Sequence, residues 1–336
     1  MGLLGAYSLR LRRKRCHVRA WLKRRELADV ADRTAGIRKS HIVALTTLRN
    51  ERVRLPYFLS YYRDLGIDHF LMVDNGSDDG SREYLAAQRD VSLWTTQASY
   101  KAARYGLDWL THLQRRHCHG HWTLSVDVDE FLVYPFCDTR PLRALTDWLE
   151  ASALRSFPAM LLDMYPKGPV GAEPYREGDD PFRTAQYFDT GNYTISRNPT
   201  YGNLWIQGGP RARNYFSNAP QKAPALNKIP LVHWKRDYAY VSSSHMLLPR
   251  GLNQVYDTLG GEKASGVLLH AKFVEPFVAK TEEEMRRREH YRDGTEYDAY
   301  RNAMDRPSDL WCKWSEEYIN WRQLEILGLM SKGNWA

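Results

Sequence analysis

Cysteine is scarce in this 336-residue chain, and the few cysteines lie far apart. Cys16, Cys118, Cys137 and Cys312 form no Cys-x-x-Cys pair. This spacing fits neither a disulfide framework nor a structural zinc site, and it favours a reducing compartment. We therefore expect the protein to reside in the cytoplasm.

Long apolar runs are also missing. Nowhere do eighteen or more predominantly apolar residues follow one another without charge, which a helix needs to cross about 30 Å of hydrocarbon. A secretory signal places positive charge before its apolar stretch, whereas mostly apolar residues come first here. We expect neither a membrane span nor a cleaved signal. Repeats and low-complexity linkers are absent too, so composition marks no hard domain boundary.

Positive charge is concentrated at one end of the chain. Residues 1–40 hold twelve Lys and Arg against three acids, whereas the whole chain has a net charge of +8. Between Leu9 and Leu27, apolar residues interleaved with Arg and Lys predict an imperfect amphipathic helix with a cationic face. We favour an anionic membrane surface as its partner, on the inner face of the cell membrane. A solvated arm and nucleic acid are the alternatives, but the near-neutral body argues against nucleic acid.

From residue 41 the chain alternates short apolar runs with amphipathic segments. The pattern predicts strands at 41–48, 69–73, 91–94 and from 122 into the acids that follow, with helices at 55–65, from about 82, and at 101–116. Strand, helix, strand, helix in this order implies a mostly parallel sheet with ligand-binding loops at the C-terminal ends of its strands.

Two acids follow the fourth predicted strand. Side chains alternate along an extended segment, so Asp127 and Asp129 are expected on one side and Val126 and Val128 on the other. Facing carboxylates repel unless a cation lies between them, and a hard cation such as Mg²⁺ or Mn²⁺ also binds diphosphate oxygens. The metal would neutralise charge on a leaving nucleotide diphosphate. Two acids with this spacing also occur by chance on solvated strands. The metal-site interpretation therefore depends on their position after an apolar strand and downstream of Asp74.

Three motifs together resemble the signatures of family 2-type glycosyltransferases with the GT-A fold, over roughly residues 41 to 135. They are Leu48-Arg-Asn-Glu, Asp74-Asn-Gly-Ser-Asp-Asp-Gly-Ser and Asp127-Val-Asp-Glu-Phe. The resemblance implies that Asp74 contacts the nucleotide base or ribose. It also implies that neighbouring residues bind the donor in the same pocket, namely Arg49, Asn50, Glu51, Asn75 and Asp127. A helix cap or turn residue is the alternative for Asp74.

Further candidates lie downstream. The run Gly266-Val-Leu-Leu-His-Ala-Lys-Phe resembles the late segment in which related enzymes place a histidine near the metal, which makes His270 a third metal ligand; a core histidine is the alternative. Arg211 and Lys272 offer cations for a diphosphate or an anionic acceptor. For the general base of an inverting transfer we favour Asp163, then Asp189. The Glu-Asp pair that many family 2 enzymes carry has no clear match after residue 150.

The predicted fold is α/β: a GT-A, Rossmann-like domain with a mostly parallel central sheet, a basic N-terminal helix and a helical C-terminal tail. Residues 1–40 form the arm, 41–135 the nucleotide-sugar half, 136–280 the acceptor half and 281–336 the tail. The predicted function is that of a Mn²⁺- or Mg²⁺-dependent, inverting hexosyltransferase. It would use a UDP-linked donor and a glycan or lipid-linked acceptor, in cell-surface polysaccharide or glycoconjugate synthesis. A catalytically silent domain that binds nucleotide-sugars or glycans is the alternative.

Overall fold

The computed structural model describes residues 2–253, 255, 263–274, 277 and 309–335. Its helices are α1 (Leu3–Lys23), α2 (Leu55–Leu65), α3 (Ser81–Ala86), α4 (Leu107–His117), α5 (Leu142–Ala151), α6 (Gly209–Asn214) and α7 (Trp321–Ile326). Its strands are β1 (Ala28–Ala31), β2 (Val43–Leu48), β3 (His69–Asp74), β4 (Val91–Thr95), β5 (Trp122–Ser125), β6 (Glu130–Val133), β7 (Ser156–Asp163), β8 (Tyr187–Asp189), β9 (Tyr193–Arg197), β10 (Leu204–Gly208), β11 (Asn227–His233), β12 (Ala239–Ser242), β13 (Met246–Leu248), β14 (Gly266–His270) and β15 (Ser315–Glu317).

One large sheet organises the described part of the chain. Its nine strands follow the order β1-β4-β3-β2-β5-β11-β7-β14-β6. The pairings give β2, β3, β4, β5, β7 and β14 one direction, whereas β1, β6 and β11 run the opposite way. The predicted α/β architecture with a mostly parallel central sheet is therefore confirmed.

The sheet is covered on both faces. On one face, α2, α3 and α5 contribute apolar side chains to a core that includes Phe58, Leu85 and Leu145. On the other face, α4 contributes Trp109 and Leu113 to a second core. The central strands β2, β3 and β5 are therefore buried on both sides, which explains why they are continuous runs of mostly apolar residues rather than alternating ones.

The first β-α-β unit follows the sequence pattern closely. α2 buries its apolar positions at intervals of three and four residues, and it ends at Gly66, whose φ of 106° is the left-handed conformation that favours glycine at a helix end. The predicted helix at 101–116 begins later, at Leu107. Arg104, Tyr105 and Gly106 all have positive φ, so a right-handed helix cannot pass through them.

Residues 2–40 pack against the body of the protein. α1 buries Leu9, Cys16 and Ala20 and lies against α4 and the hairpin formed by β12 and β13. The Nε of Arg19 donates to the Asp108 carboxylate over 3.0 Å, and β1 pairs antiparallel with β4 at the sheet edge. The predicted basic helix is confirmed, and this segment is part of the same packed unit rather than a separate arm.

The predicted C-terminal helical segment lies partly outside the described residues, which resume at 309. From there, β15 pairs antiparallel with β8, and the helical part is confined to α7. The Nε1 of Trp321 donates to Asp138 over 2.8 Å, and this tryptophan also packs against Phe136. These contacts fix the end of the chain on the body.

Gly266, at the start of β14, lies where its neighbours leave no space for a side chain. A Cβ at this position would be 2.7 Å from the Val133 carbonyl oxygen and 2.9 Å from the Phe157 ring. We expect Gly266→Ala to lower the free energy of unfolding by about 1–3 kcal/mol, because the backbone must shift. Urea denaturation measures this loss. Gly251→Ala is the control, since no heavy atom lies within 4 Å of its Cβ position; equal effects would contradict the account.

Candidate active site

A cavity of about 760 Å³ opens where the central strands end, a size typical of small-molecule sites. The loops that follow β2, β3 and β5 line one side of it. The other side comes from the segment before β11, the turn between β12 and β13, and the residues that follow β14. The cavity therefore lies at the edge of the sheet where the sequence predicts binding loops.

Asp127 and Asp129 both line this cavity, but they lie in a turn. β5 ends at Ser125, and the amide of Glu130 donates to the Asp127 carbonyl over 3.1 Å. The expectation of one extended strand through both acids is wrong, because the turn moves the chain from the middle of the sheet to its edge strand β6. Val126 and Val128 are buried, as expected.

A histidine lies beside the second acid. The Nε2 of His270 is 3.4 Å from the Asp129 carboxylate, and its Nδ1 is 2.6 Å from Asp163. The second contact follows from the sheet, because β7 and β14 are parallel neighbours and Asp163 pairs with His270 in register. A carboxylate on one ring nitrogen is the arrangement that orients a metal-binding histidine toward its metal.

The electrostatics favour a cation between Asp129 and His270. Burial alone would raise the pKa of Asp129, but His270, Arg54 and Lys272 together hold it well below its usual range. Burial alone would lower the pKa of His270, but the carboxylates of Asp129 and Asp163 raise it. The imidazole therefore attracts a positive charge at Nε2, whether a proton or a metal ion.

Lys228 is a functional candidate that sequence reasoning missed. Its side chain is only 4% exposed, and its Nζ lies 2.8 Å from Glu130 and 3.8 Å from Asp127. More than half of the Asp127 side chain, 55%, faces the cavity. Partial desolvation by the cavity walls and then the neighbouring Glu130 carboxylate raise the pKa of Asp127 to about 7, whereas the Lys228 ammonium opposes this rise. A lysine inside the apolar run of β11 was the available signal, because a buried ammonium requires a carboxylate partner.

Besides Asp127, the predicted donor-binding residues that line the cavity include Arg49, Glu51 and Asn75. The Nη1 of Arg49 donates to the carbonyl oxygen of Asn75 over 2.9 Å, so the loops after β2 and β3 are joined. Glu51 accepts a hydrogen bond from the Nη1 of Arg54 over 2.9 Å, with both side chains buried. Arg54, which also lines the cavity, was not predicted.

Asp74 and Asn50 hold the loops from behind. Asp74 is completely buried, and its carboxylate accepts from the Ser77 amide over 3.2 Å and from the Thr95 hydroxyl over 3.1 Å. The side chain of Asn50 accepts from the Asp78 amide over 3.0 Å. These contacts match the turn-forming alternative for Asp74, and its direct contact with a nucleotide stays a prediction.

The remaining predicted residues divide into two groups. Arg211 and Lys272 line the cavity, and the Nε of Arg211 donates to Asp163 over 2.7 Å. Asp163 therefore has one oxygen on His270 and the other on Arg211. Asp189 accepts from the Nε of Arg213 over 2.8 Å and from the Tyr165 hydroxyl. Both predicted bases are thus occupied by ion pairs, and the role of either as a base stays a prediction.

The residues present fit an open metal site rather than a closed one. In the described parts of the chain, no three His, Cys, Asp or Glu side chains stand together as a complete metal cluster. Asp129 and His270 offer one oxygen and one nitrogen, with Asp127 nearby on the same turn. Substrate oxygens and water are expected to fill the remaining positions, as Mg²⁺ and related ions commonly bind phosphates.

Comparisons with known proteins give a partial likeness. No protein-family profile matches the chain. A glycosyltransferase family 92 protein of Oryza sativa subsp. japonica is 28% identical over 107 residues, which cover 29% of this chain and 17% of that protein. The match thus spans about a sixth of the relative.

Two solved structures also show similarity. A 4-diphosphocytidyl-2C-methyl-D-erythritol synthase is 15% identical, covering 41% of this chain and 68% of that chain with a TM-score of 0.24. A Bacillus anthracis protein described as a glucose-1-phosphate thymidylyltransferase is 8% identical, covering 86% and 93% with a TM-score of 0.29. Scores this low do not establish a shared fold, so the α/β assignment rests on the strand order. In sequence the chain is similar in part to a family 92 glycosyltransferase protein, and membership of family 2 stays a prediction.

Proposed function

We propose that this protein is a metal-dependent glycosyltransferase that moves a sugar from a nucleotide-sugar to an acceptor hydroxyl. One observation carries the proposal. Asp129 and His270 face each other across 3.4 Å on the cavity lining, and Asp163 fixes the second nitrogen of the imidazole. The partial likeness to a protein of a glycosyltransferase family points to the same class of reaction.

In this proposal Asp129 and His270 hold a divalent cation, with Asp127 beside them. When bound there with the donor, Mn²⁺ or Mg²⁺ would neutralise the negative charge that builds on the departing diphosphate. Lys272 lines the same cavity and adds positive charge. In the proposal, Arg49 and Asn75, which line the cavity on the loops after β2 and β3, contact the nucleotide.

The finer features of the proposal concern the substrates and the stereochemistry. They are a UDP-linked hexose donor, a glycan or lipid-linked acceptor, inversion at the sugar carbon, and a role in cell-surface polysaccharide or glycoconjugate synthesis. The positions of Asp163 and Asp189 do not support either as the general base, because both oxygens of each carboxylate are already paired.

A panel of donors tests the proposal. The full chain is heated with UDP-, GDP-, CDP- and dTDP-sugars, each with Mn²⁺, Mg²⁺ or EDTA, and nucleoside diphosphate release is measured in parallel. We expect at least one donor to raise the unfolding temperature only with metal and to be hydrolysed slowly. A ligand present at 100 times its Kd stabilises the folded state by about 2.7 kcal/mol. Binding without release would favour the silent binder, and no response to any donor would reject both.

The Asp163 carboxylate is expected to act through the His270 ring. Asp163→Asn removes the charge that orients the imidazole, so Mn²⁺ affinity should fall by about 10- to 100-fold. Electron paramagnetic resonance of free Mn²⁺ measures this without turnover. Asp138→Asn is the matched control, because it removes a carboxylate that pairs with Arg322 at the surface. Equal Mn²⁺ affinity in both variants would contradict the positioning role.

A further inference from the structure

α1 has a second apolar face that the body does not cover. Leu9, Cys16 and Ala20 form its buried face. On the opposite side, apolar residues recur at intervals of three and four residues, which places them on one stripe of the helix. This outer stripe consists of Leu4, Tyr7, Leu11, Val18, Trp21 and Leu22. Leu4 is 88% exposed and Val18 57% exposed.

The basic residues of α1 divide between the two faces by their partners. Those directed at the body are paired, since Arg13 meets Asp237 at 3.1 Å and Arg19 meets Asp108 at 2.9 Å. The exposed cations beside the outer stripe are Arg10, Lys14 and Arg15, whereas the guanidinium of Arg12 lies over the Tyr201 ring of the body, 5.3 Å from its centroid. Among the described residues Arg10, Lys14 and Arg15 have no ion-pair partner. The helix contains no acidic residue, so its outer face is uniformly cationic.

A groove beside the stripe concentrates positive charge. It has a volume of about 490 Å³ and is lined by Arg12, Arg15, Arg19 and Arg104. Arg19 and Arg104 share one carboxylate, that of Asp108. Four guanidinium groups against one carboxylate leave a net positive groove, and the fork of an arginine suits the bidentate binding of phosphate.

We propose that the outer face of α1 binds an anionic lipid surface. The outer stripe enters the interface, the flanking cations meet lipid phosphates, and the arginine groove receives a headgroup. An apolar stripe flanked by Arg and Lys is the pattern of helices that lie in the membrane plane. A second copy of the chain fits less well, because pairing two such helices would oppose cations to cations. In the described residues no helix has the length and apolarity to cross a bilayer.

Vesicle sedimentation tests this without any sugar donor, so its outcome is independent of the transferase proposal. The full chain is spun with vesicles of phosphatidylcholine alone or of phosphatidylcholine and phosphatidylglycerol in equal amounts. We expect binding to the anionic vesicles only, weakening as salt rises. Absence of binding to anionic vesicles, or equal binding to both kinds, would overturn the proposal.

The cations are tested by the triple variant Arg10→Gln, Lys14→Gln and Arg15→Gln. At roughly fivefold per cation, we expect its partition onto anionic vesicles to fall about a hundredfold. The matched control removes the same charge elsewhere on the exposed surface, with Arg38→Gln, Lys39→Gln and Arg89→Gln. Equal losses in the two variants would mean that net charge alone drives binding and would reject a specific face.

The outer stripe is tested by the triple variant Leu4→Ser, Val18→Ser and Leu22→Ser. We expect a loss of about tenfold or more on anionic vesicles, because less apolar area enters the interface. These side chains are exposed, so the unfolding temperature should be unchanged, and this confirms that the variant is folded. Light scattering tests the alternative. If the wild-type protein is a dimer that this variant abolishes, and vesicle binding is unchanged, the stripe binds a second copy of the chain instead.

Discussion

Asp129→Asn is expected to lower metal-dependent transfer by about a thousandfold while the protein remains folded. The substitution keeps the size of the side chain and removes the negative charge that faces His270 across 3.4 Å. In the described part of the chain, Asp129 is the carboxylate that contacts the Nε2 of His270, so the variant leaves this nitrogen facing a neutral amide. A cation held less well at this site would stabilise the leaving diphosphate by several kcal/mol less.

Steady-state kinetics with the donor found in the panel measure this loss, together with a titration of Mn²⁺. We expect the loss to persist at saturating metal, because the cation is misplaced as well as weakly bound. Asp78→Asn is the matched control, since Asp78 is exposed and only its amide contacts Asn50. Equal turnover of the two variants would show that Asp129 has no role in the transfer reaction.

Lys228→Met is expected to lower the free energy of unfolding by about 3–5 kcal/mol. The ammonium lies 2.8 Å from Glu130, and both side chains are almost completely buried. Removing one partner leaves a charge in a site of low polarity with nothing to compensate it. Urea denaturation gives the loss, and Lys235→Met, at an exposed position, is the control.

A double variant shows whether the loss comes from the ion pair. Lys228→Met combined with Glu130→Gln removes both charges, so much of the lost stability should return. If the double variant is as unstable as the sum of the two single variants, Lys228 stabilises the fold through packing rather than through its charge. If Lys228→Met matches Lys235→Met, the buried pair contributes nothing measurable.

The nucleotide-binding half could be predicted because its signals are local. The strands at 43–48 and 69–74 are apolar runs that end at polar residues, and Gly66 marks the end of the helix between them. Parallel strands place their C-terminal loops at one edge of the sheet. The positions of Arg49 and Asn75 on one cavity follow directly from that topology.

In the opposite half, candidate residues such as His270 could be named, but their contacts could not be predicted because they depend on strands distant in sequence. Asp163 meets His270 only because β7 and β14 are neighbours, although 107 positions separate the two residues. Lys228 of β11 meets Glu130 of β6 although β7 and β14 lie between these two strands in the sheet. The periodicity of one segment does not show which distant strand lies beside it. The sequence therefore identifies Asp163 as a carboxylate at the end of a strand, but it does not show that Asp163 contacts His270.

The N-terminal helix illustrates the same limit at the surface. Its cationic character is visible in the sequence. Because apolar residues lie on two opposite faces of the helix, the sequence does not show which apolar face packs against the body. The inner face became identifiable only when Leu9, Cys16 and Ala20 were found buried. The charge concentrated in residues 1–40 likewise suggested a separate arm, whereas β1 belongs to the central sheet.

The most direct test of the account is an electron paramagnetic resonance titration of Mn²⁺ into the full chain, with and without UDP. We expect UDP to strengthen Mn²⁺ binding to the wild-type protein, and Asp129→Asn and His270→Ala each to abolish this effect. UDP binding that is identical with Mn²⁺ and with EDTA, or Mn²⁺ binding that both variants retain, would contradict the claim that Asp129 and His270 hold the metal.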